Sequence, residues 1–230
     1  MPATEPARPG ARPRVLVNCA ISLDGRLAYA GGRRAMLSGP EDLVRVQMLR
    51  TQVQAIVVGV GTVLMDDPSL RVHYELLGRP PGPNPIRVVL DSMGRTPEGA
   101  RVLDGSAPTL IAISDACERR FPEGVRTVRA GRSQVELERL WAALAQLGVA
   151  TVLVEGGATV LASVLGSGAF DRLTVYIAPV LIGGHSAPPM VLGPESEGEG
   201  ETIRLVRESA EPLGDGVLLT FRPRAAPRAA

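Results

Sequence analysis

Two stretches of the chain gather glycines, carboxylates and hydroxyls where a strand should hand over to a helix. The first is VVGVGTVLMDD, Val57 to Asp67, and the second is VLVEGGATVLA, Val152 to Ala162. At such a junction the backbone N–H groups of a helix N-terminus can face an anion, and glycine allows a closer backbone approach than any side chain would. Gly59-x-Gly61 lacks the third glycine of the dinucleotide fingerprint, so a tight turn packed under a sheet explains each junction equally well. Two of them in one chain tilt the reading towards a phosphate-bearing cofactor. The carboxylates nearby are Asp66 and Asp67, just before Pro68, and Glu155, at the end of an apolar run beside Gly156. The acidic pair is either a capped turn or a source of protons. Glu155 sits at a strand's C-terminal edge, where ligands collect in open α/β sheets. Arg50, between Leu49 and Val53, either complements a helix dipole or presents a pre-organised guanidinium to a phosphate. His73 reads as a surface residue and His185, in Gly184-His185-Ser186, as part of a loop.

Composition removes several other chemistries. All 25 basic residues are arginines and none is lysine, which excludes a Walker-type phosphate loop, a lysine Schiff base and a pyridoxal-phosphate site. Two cysteines, Cys19 and Cys117, and two histidines are too few and too scattered for a zinc deaminase or a zinc finger, so no metal is expected. There is no GxSxG nucleophile elbow. With 24 acidic residues against 25 basic ones, the net charge of +1 leaves no footprint for nucleic acid or an anionic membrane. No apolar run reaches the ~18 residues of a membrane span. The Pro-rich start, MPATEPARPGARPR, lacks the apolar core of a signal peptide, so a cytoplasmic location is expected.

The elements that must position these groups follow from hydrophobic pattern. RVLVNCA (14–20), QAIVVGVG (54–61), IRVVLDS (86–92), PTLIAIS (108–114) and ATVLVE (150–155) read as apolar strands. RLTVYIAPVLIGG, TIRLVRES and GVLLTFR complete the set, the last two as possible antiparallel neighbours. Ser38-Gly39-Pro40-Glu41 and Ser133-x-x-Glu136 read as capping boxes. The helix after the first carries Leu43, Val46, Leu49 and Val53 at helical spacing, and Gly148 should cap the end of the second. A small-residue helix is expected from Gly157 to about Leu165, and 74–84 should be a loop. Strands alternating with helices, then a strand-only finish, predict an α/β protein with a mixed sheet. The expected organisation is a disordered extension over 1–13, one domain over 14–222 and a disordered tail over 223–230.

At this point the residues match a known family. NCAISLDGRLA, DLVRVQMLRTQVQAIVVGVGTVLMDDPSLRVH, NPIRVVLDS, VLVEGGATVLASVL and FDRLTVYIAPVLIGG resemble the pyrimidine reductases of riboflavin biosynthesis, from about Val15 to Phe221. The pairing of VGxGTVLxDDPxLxVH with VEGG at this separation is highly specific. The resemblance implies a dihydrofolate-reductase-like fold, a mixed and mostly parallel sheet flanked by helices, usually in a homodimer. It also implies reduction of a ribosylamino pyrimidine phosphate to its ribitylamino form by NADPH or NADH, with NADPH favoured. Asn18, where bacterial bifunctional enzymes carry a lysine, and Val72-His73, in place of a threonine–arginine ending, are similar to the archaeal stand-alone enzymes. Those act on 2,5-diamino-6-(ribosylamino)-4(3H)-pyrimidinone 5′-phosphate before deamination.

Residue by residue, the resemblance places Thr62, Asp66 and Ser92 at the nicotinamide cofactor. It places Gly156, Gly157, Ala158, Thr159 and Val160 around the pyrophosphate. Arg50, Leu70 and the Arg71–His73 stretch fall on the side of the substrate ribose and phosphate, and Glu155 at the substrate itself. Proton handling is expected from Asp66 or Glu155, with Asp24 a weaker third. The family often has a substrate-binding serine near Ala35, which Arg33-Arg34-Ala35-Met36 lacks; Ser38 is the nearest alternative hydroxyl and receives no role from sequence. The rival readings are a same-fold reductase for the deaminated pyrimidine or another pyrimidine or pteridine, and a non-catalytic dinucleotide-binding module.

Overall fold

A computed structural model describes residues 12–193, 198 and 202–224. The expected disorder of 1–11 and 225–230 therefore lies outside the described residues. Nine strands form one sheet: β1 (Arg14–Ser22), β2 (Ala55–Gly59), β3 (Ile86–Leu90), β4 (Thr109–Ile113), β5 (Arg126–Arg129), β6 (Thr151–Gly156), β7 (Arg172–Ala178), β8 (Leu205–Leu213) and β9 (Gly216–Pro223). Their order is β5-β4-β3-β2-β6-β1-β7-β9-β8. The first seven positions are parallel, and β9 and β8 run antiparallel to their neighbours. The helices are α1 (Pro40–Arg50), α2 (Val60–Asp66), α3 (Leu137–Gln146) and α4 (Ala158–Gly166). The mixed sheet is the one the pattern predicts, and its mostly parallel order with flanking helices is what the family resemblance implies.

Every residue of β2 and β4 is buried, because a parallel strand covered on both faces has no solvent side to keep polar. Alternation then divides the core in two. Val57, Val88, Val154, Val15 and Val17 point to one face, where Leu140, Trp141 and Leu144 of α3 and Leu161, Val164 and Leu165 of α4 pack. Ile56, Val58, Val89, Ile111 and Leu153 point to the other, against Val63 of α2, Leu70 and Val102. Burial of this continuous apolar surface is the main stabilising term.

The structure departs from the sequence reading at helix starts. Neither expected capping box forms: Gly39 and Glu136 occupy the N-cap positions and neither makes a side-chain cap. Ser38 turns instead to Asp42. The stretch before α3 is drawn off its expected path because Val135 N donates to Ser92 Oγ and Glu136 N to Ala130 O. The buried residues of α1 are Asp42 and Gln47, with Leu43, Val46 and Leu49 only half-buried, since this helix faces polar groups of β1 and of the 69–73 segment. Gly148 does close α3, at φ +78°, with Val149 N bonded to Leu144 O. Strand β5 has no apolar run to announce it and was absent from the sequence reading. A short 3-10 turn, Tyr74–Leu77, sits in the expected loop. Four residues assigned to the tails are held in place: Arg12 pairs with Asp171 at 2.8 Å, Pro13 is buried, Pro223 closes β9, and Arg224 N donates to Arg204 O.

Candidate active site

A cleft of about 780 Å³ opens at the C-terminal ends of β1, β2, β3 and β6. Parallel strands place it there, because every βα turn leaves the sheet on that side. Its middle is built from the two glycine junctions. Gly59 and Gly157 precede α2 and α4, so the N-termini of both helices face the cleft. Thr62 Oγ1 accepts the Gly157 N–H at 3.0 Å and ties the junctions together. A Cβ on Gly59 would stand 2.8 Å from Val160 Cγ2, so this approach requires glycine. The Gly156–Gly157 peptide bond is cis.

Towards β3 the wall is a loop fixed by Asp91. This fully buried carboxylate accepts the Arg95 N–H at 2.8 Å, and the Thr96 N–H and hydroxyl at 2.7 Å each. It thereby holds Ser92, Met93 and Arg95 at the cleft. Ser92 Oγ in turn accepts from Val135 N at 3.0 Å. At the C-terminal end of α2, Asp66 lies on the cleft wall. Burial raises its pKa above the usual carboxylate value, with Arg34 across the rim working the other way.

Glu155 closes the floor between β2 and β6, and both its oxygens are engaged by Arg50: Nε to Oε1 at 2.8 Å and Nη2 to Oε2 at 2.7 Å. Arg50 Nη1 continues to Arg71 O at 2.7 Å. Burial alone would lower the Arg50 pKa, but the charge and bonds of Glu155 more than reverse this and raise it.

Of the residues singled out from sequence, Thr62, Asp66, Ser92, Glu155, Gly157, Ala158, Thr159 and Val160 line the cleft, with Gly156 buried beside them. Arg50 stands behind Glu155. Leu70 and His73 are off the cleft. Leu70, at φ +48°, puts its side chain in the core, 2% exposed. His73 contacts Glu75 Oε1 through Nδ1 at 2.9 Å and Ser69 Oγ through Nε2 at 3.3 Å, while its backbone N–H donates to the buried Gln47 Oε1. Asp24 is also elsewhere. It caps a turn, bonded by Ser22 Oγ and the N–H groups of Ile182 and Gly183, which hold its pKa near 2. Sequence reasoning passed over Arg34, Arg95 and Cys19 on the walls and gave no role to Ser38 beside them; behind Ser38 it noted Asn18 only as a family marker and passed over Asp42 and Arg45. The i,i+3 spacing of Asp42 and Arg45 was the available signal for that last group. Among the described residues no group of three or more His, Cys, Asp or Glu side chains could hold a metal ion, and no helix is long and apolar enough to cross a membrane.

Residues 13–219 match the model of one protein family, the RibD C-terminal domain. The chain belongs to that family. A relative from Methanothermobacter thermautotrophicus, a 2,5-diamino-6-ribosylamino-4(3H)-pyrimidinone 5′-phosphate reductase, is 40% identical over 217 residues, spanning 91% of this chain and 98% of the relative. An Archaeoglobus fulgidus protein of the same description is 36% identical over 220 residues, 92% of this chain and 98% of its own. The solved structure of Acinetobacter baumannii RibD superposes with a TM-score of 0.79 at 28% identity, over 93% of this chain and 58% of that one. The chain thus spans nearly the whole of these two relatives and somewhat more than half of that RibD. The matched range contains VGVGTVLMDD and VEGG, the two junctions that form the middle of the cleft.

Proposed function

We propose that this chain is an NAD(P)H-dependent pyrimidine reductase of riboflavin biosynthesis. It converts the ribosylamino side chain of 2,5-diamino-6-ribosylamino-4(3H)-pyrimidinone 5′-phosphate to the ribitylamino form, with NADPH favoured. The observation that carries this reading is the convergence of two glycine-led helix N-termini on one cleft, beside a carboxylate of raised pKa. A dinucleotide fits the residues present. Backbone N–H groups at Ala158 to Val160, the first turn of α4, suit a pyrophosphate, a Cβ on Gly61 would meet nothing within 4 Å, so the space above α2 is open, and Arg34 and Arg95 offer cations at the rims.

Thr62, Ser92 and Gly156 to Val160 would hold the cofactor, which supplies the hydride that reduces the sugar carbon. The chain's own residues align and protonate. Asp66 holds a proton at the cleft wall and delivers it to the exocyclic nitrogen of the opened ribosylamine, a task for which a raised carboxyl pKa is suited. Glu155 borders the substrate, with Arg50 fixing its orientation rather than reaching out itself. Leu70 and His73 belong to the 69–73 segment, which Arg50 ties to the site through Arg71 O. A homodimer belongs to this reading, supported by the apolar patch where Leu23 N meets Val180 O and Leu181 is 74% exposed. So does a cytoplasmic location, supported by two buried free cysteines.

The test is oxidation of NADPH and NADH by the purified chain with the diamino pyrimidinone phosphate, with product mass read alongside. Oxidation with a gain of two hydrogens in the product is expected. Turnover confined to the deaminated pyrimidine would reverse the substrate assignment, and cofactor binding without turnover of either would leave only a dinucleotide-binding module.

A further inference from the structure

At its β1 end the cleft is lined by Cys19, Ala20, Leu27, Leu37 and Leu43, an apolar slot suited to a flat ring, and by Ser38. Burial pushes the Cys19 thiol up to about 12, so it stays neutral and only weakly polar. Ser38, unlike Cys19, is a strong polar group at this end, and its hydroxyl is not free to turn. Ser38 Oγ donates to Asp42 Oδ2 at 2.5 Å. Asp42 is 1% exposed, and its other oxygen is held by Arg45, Nε at 2.8 Å and Nη2 at 2.6 Å. Arg45 Nη2 also donates to Asn18 Oδ1 at 2.8 Å, which accepts from Thr174 Oγ1 at 2.9 Å. Each partner is fixed by the next, from β7 through β1 and α1 to the cleft wall.

A serine hydroxyl has one proton and two lone pairs. With the proton committed to a buried carboxylate, Ser38 shows the cleft lone pairs alone, and no other described residue donates to it. It can accept a hydrogen bond and cannot offer one. We infer that Ser38 is the acceptor for a ring amino group of the substrate, and that it selects the amino-bearing pyrimidine over its deaminated counterpart. The two differ where an amino group is replaced by a carbonyl. The amino group would donate to Ser38; the carbonyl would set lone pairs against lone pairs and leave both groups desolvated without a partner. This rests on the pyrimidine-reductase reading above and gives it a physical reason for acting before deamination.

Equilibrium binding of the two pyrimidine phosphates, measured by titration calorimetry without cofactor, reads the inference directly, with turnover measured in parallel. The full chain, Ser38→Ala and the hydroxyl-keeping Ser38→Thr are compared, and thermal melting verifies that each is folded. The unaltered chain should bind the diamino compound ~10-fold or more tightly than the deaminated one. The ratio should fall to within ~3-fold in Ser38→Ala and persist in Ser38→Thr. Equal affinities in the unaltered chain, an unchanged ratio in Ser38→Ala, or loss of the ratio in Ser38→Thr as well would each overturn the assignment. A Ser38-dependent ratio without turnover would sustain the acceptor and sink the reductase reading. Turnover with a ratio indifferent to Ser38 would do the reverse, and no binding of either compound would remove both.

Discussion

Arg50 and Glu155, 105 residues apart, meet edge to edge through two hydrogen bonds of 2.8 and 2.7 Å, with only 13% and 12% of their side chains exposed. A pair so enclosed matters most when half of it is removed, because the survivor is a buried charge without a partner. Arg50→Ala should therefore cost ~3–5 kcal/mol of stability. Arg50→Met combined with Glu155→Leu should cost clearly less than the sum of the two single changes. Urea unfolding of the unaltered chain, the three single variants and the double variant measures both; an additive result would show that the pair is not coupled.

Asp66 is the group to which the reaction's proton is assigned. Asp66→Asn should lower kcat ~10²–10⁴-fold with little change in cofactor affinity. The raised pKa also gives the pH profile a direction. The protonated, proton-donating form persists to higher pH than an ordinary carboxyl would allow and is lost above its pKa, so kcat should fall as pH rises through that value. The residual activity of Asp66→Asn should lack this limb. Stopped-flow single turnovers across pH separate the chemical step from product release.

Gly59, which precedes α2, and Gly61, inside it, make opposite forecasts. At Gly59 a Cβ would meet Val160 at 2.8 Å, so Gly59→Ala should push the first turn of α4 outwards and weaken both folding and dinucleotide binding. At Gly61 the same Cβ meets nothing within 4 Å, and alanine in a helix should raise stability by ~0.5–1 kcal/mol. Because Gly61 lines the cleft, that gain should come with weaker cofactor binding. Melting temperature and fluorescence titration with NADPH, read on the same sample, decide whether the two properties part.

Arg87 is fully buried in β3, yet each of its three guanidinium nitrogens finds an acceptor: Thr109 Oγ1, the carbonyls of Ser69, Arg101 and Ala107, and Asp104 Oδ1. It staples the α2–β3 and β3–β4 connections to each other beneath the sheet. Arg87→Met keeps the volume but strands these acceptors, and should cost ~3–5 kcal/mol, against far less for an exposed arginine such as Arg79. Chemical unfolding of the two variants makes the comparison.

Acid stability should depend on two aspartates whose pKa values are held near 2, below the ordinary 3.8. For Asp24 the causes are the Ser22 hydroxyl and then the N–H groups of Ile182 and Gly183. For Asp104, burial works upwards but is outweighed by Ser106 and Arg87. A depressed carboxyl pKa stabilises the fold fully above the unfolded value and loses that contribution as pH falls through the folded one. Melting temperature should therefore drop between about pH 4 and 2, and Asp24→Asn with Asp104→Asn should flatten that slope while lowering the plateau above it.

Much of this arrangement was legible in the sequence because it rests on local pattern. The buried strands announce themselves by apolar runs and the two glycine junctions by their spacing, which brings Asp66 and Glu155 to notice; Thr62 and the 156–160 loop are singled out by the family resemblance. What escaped depends on contacts between segments distant in the chain. Nothing near Arg50 says that its guanidinium is taken by Glu155, and nothing near Ser38 says that its proton goes to Asp42 instead of capping α1. Strand β5 escaped for a related reason: Arg126–Arg129 pairs with β4 through its backbone, and exposed polar side chains leave no periodic trace.

The same polar strand has a consequence for assembly. The free rim of β5 is four residues long and carries Arg126 and Arg129, a poor template for another strand. At the opposite rim β8 bears Arg207, Glu208 and Glu211, a register break between Arg207 and Ser209, and Pro212, whose nitrogen has no proton to give. Both margins of the sheet refuse extension. Self-association of this chain must therefore be a matter of faces and loops, never of strands added in register, and crowding it should yield discrete oligomers before it yields fibres.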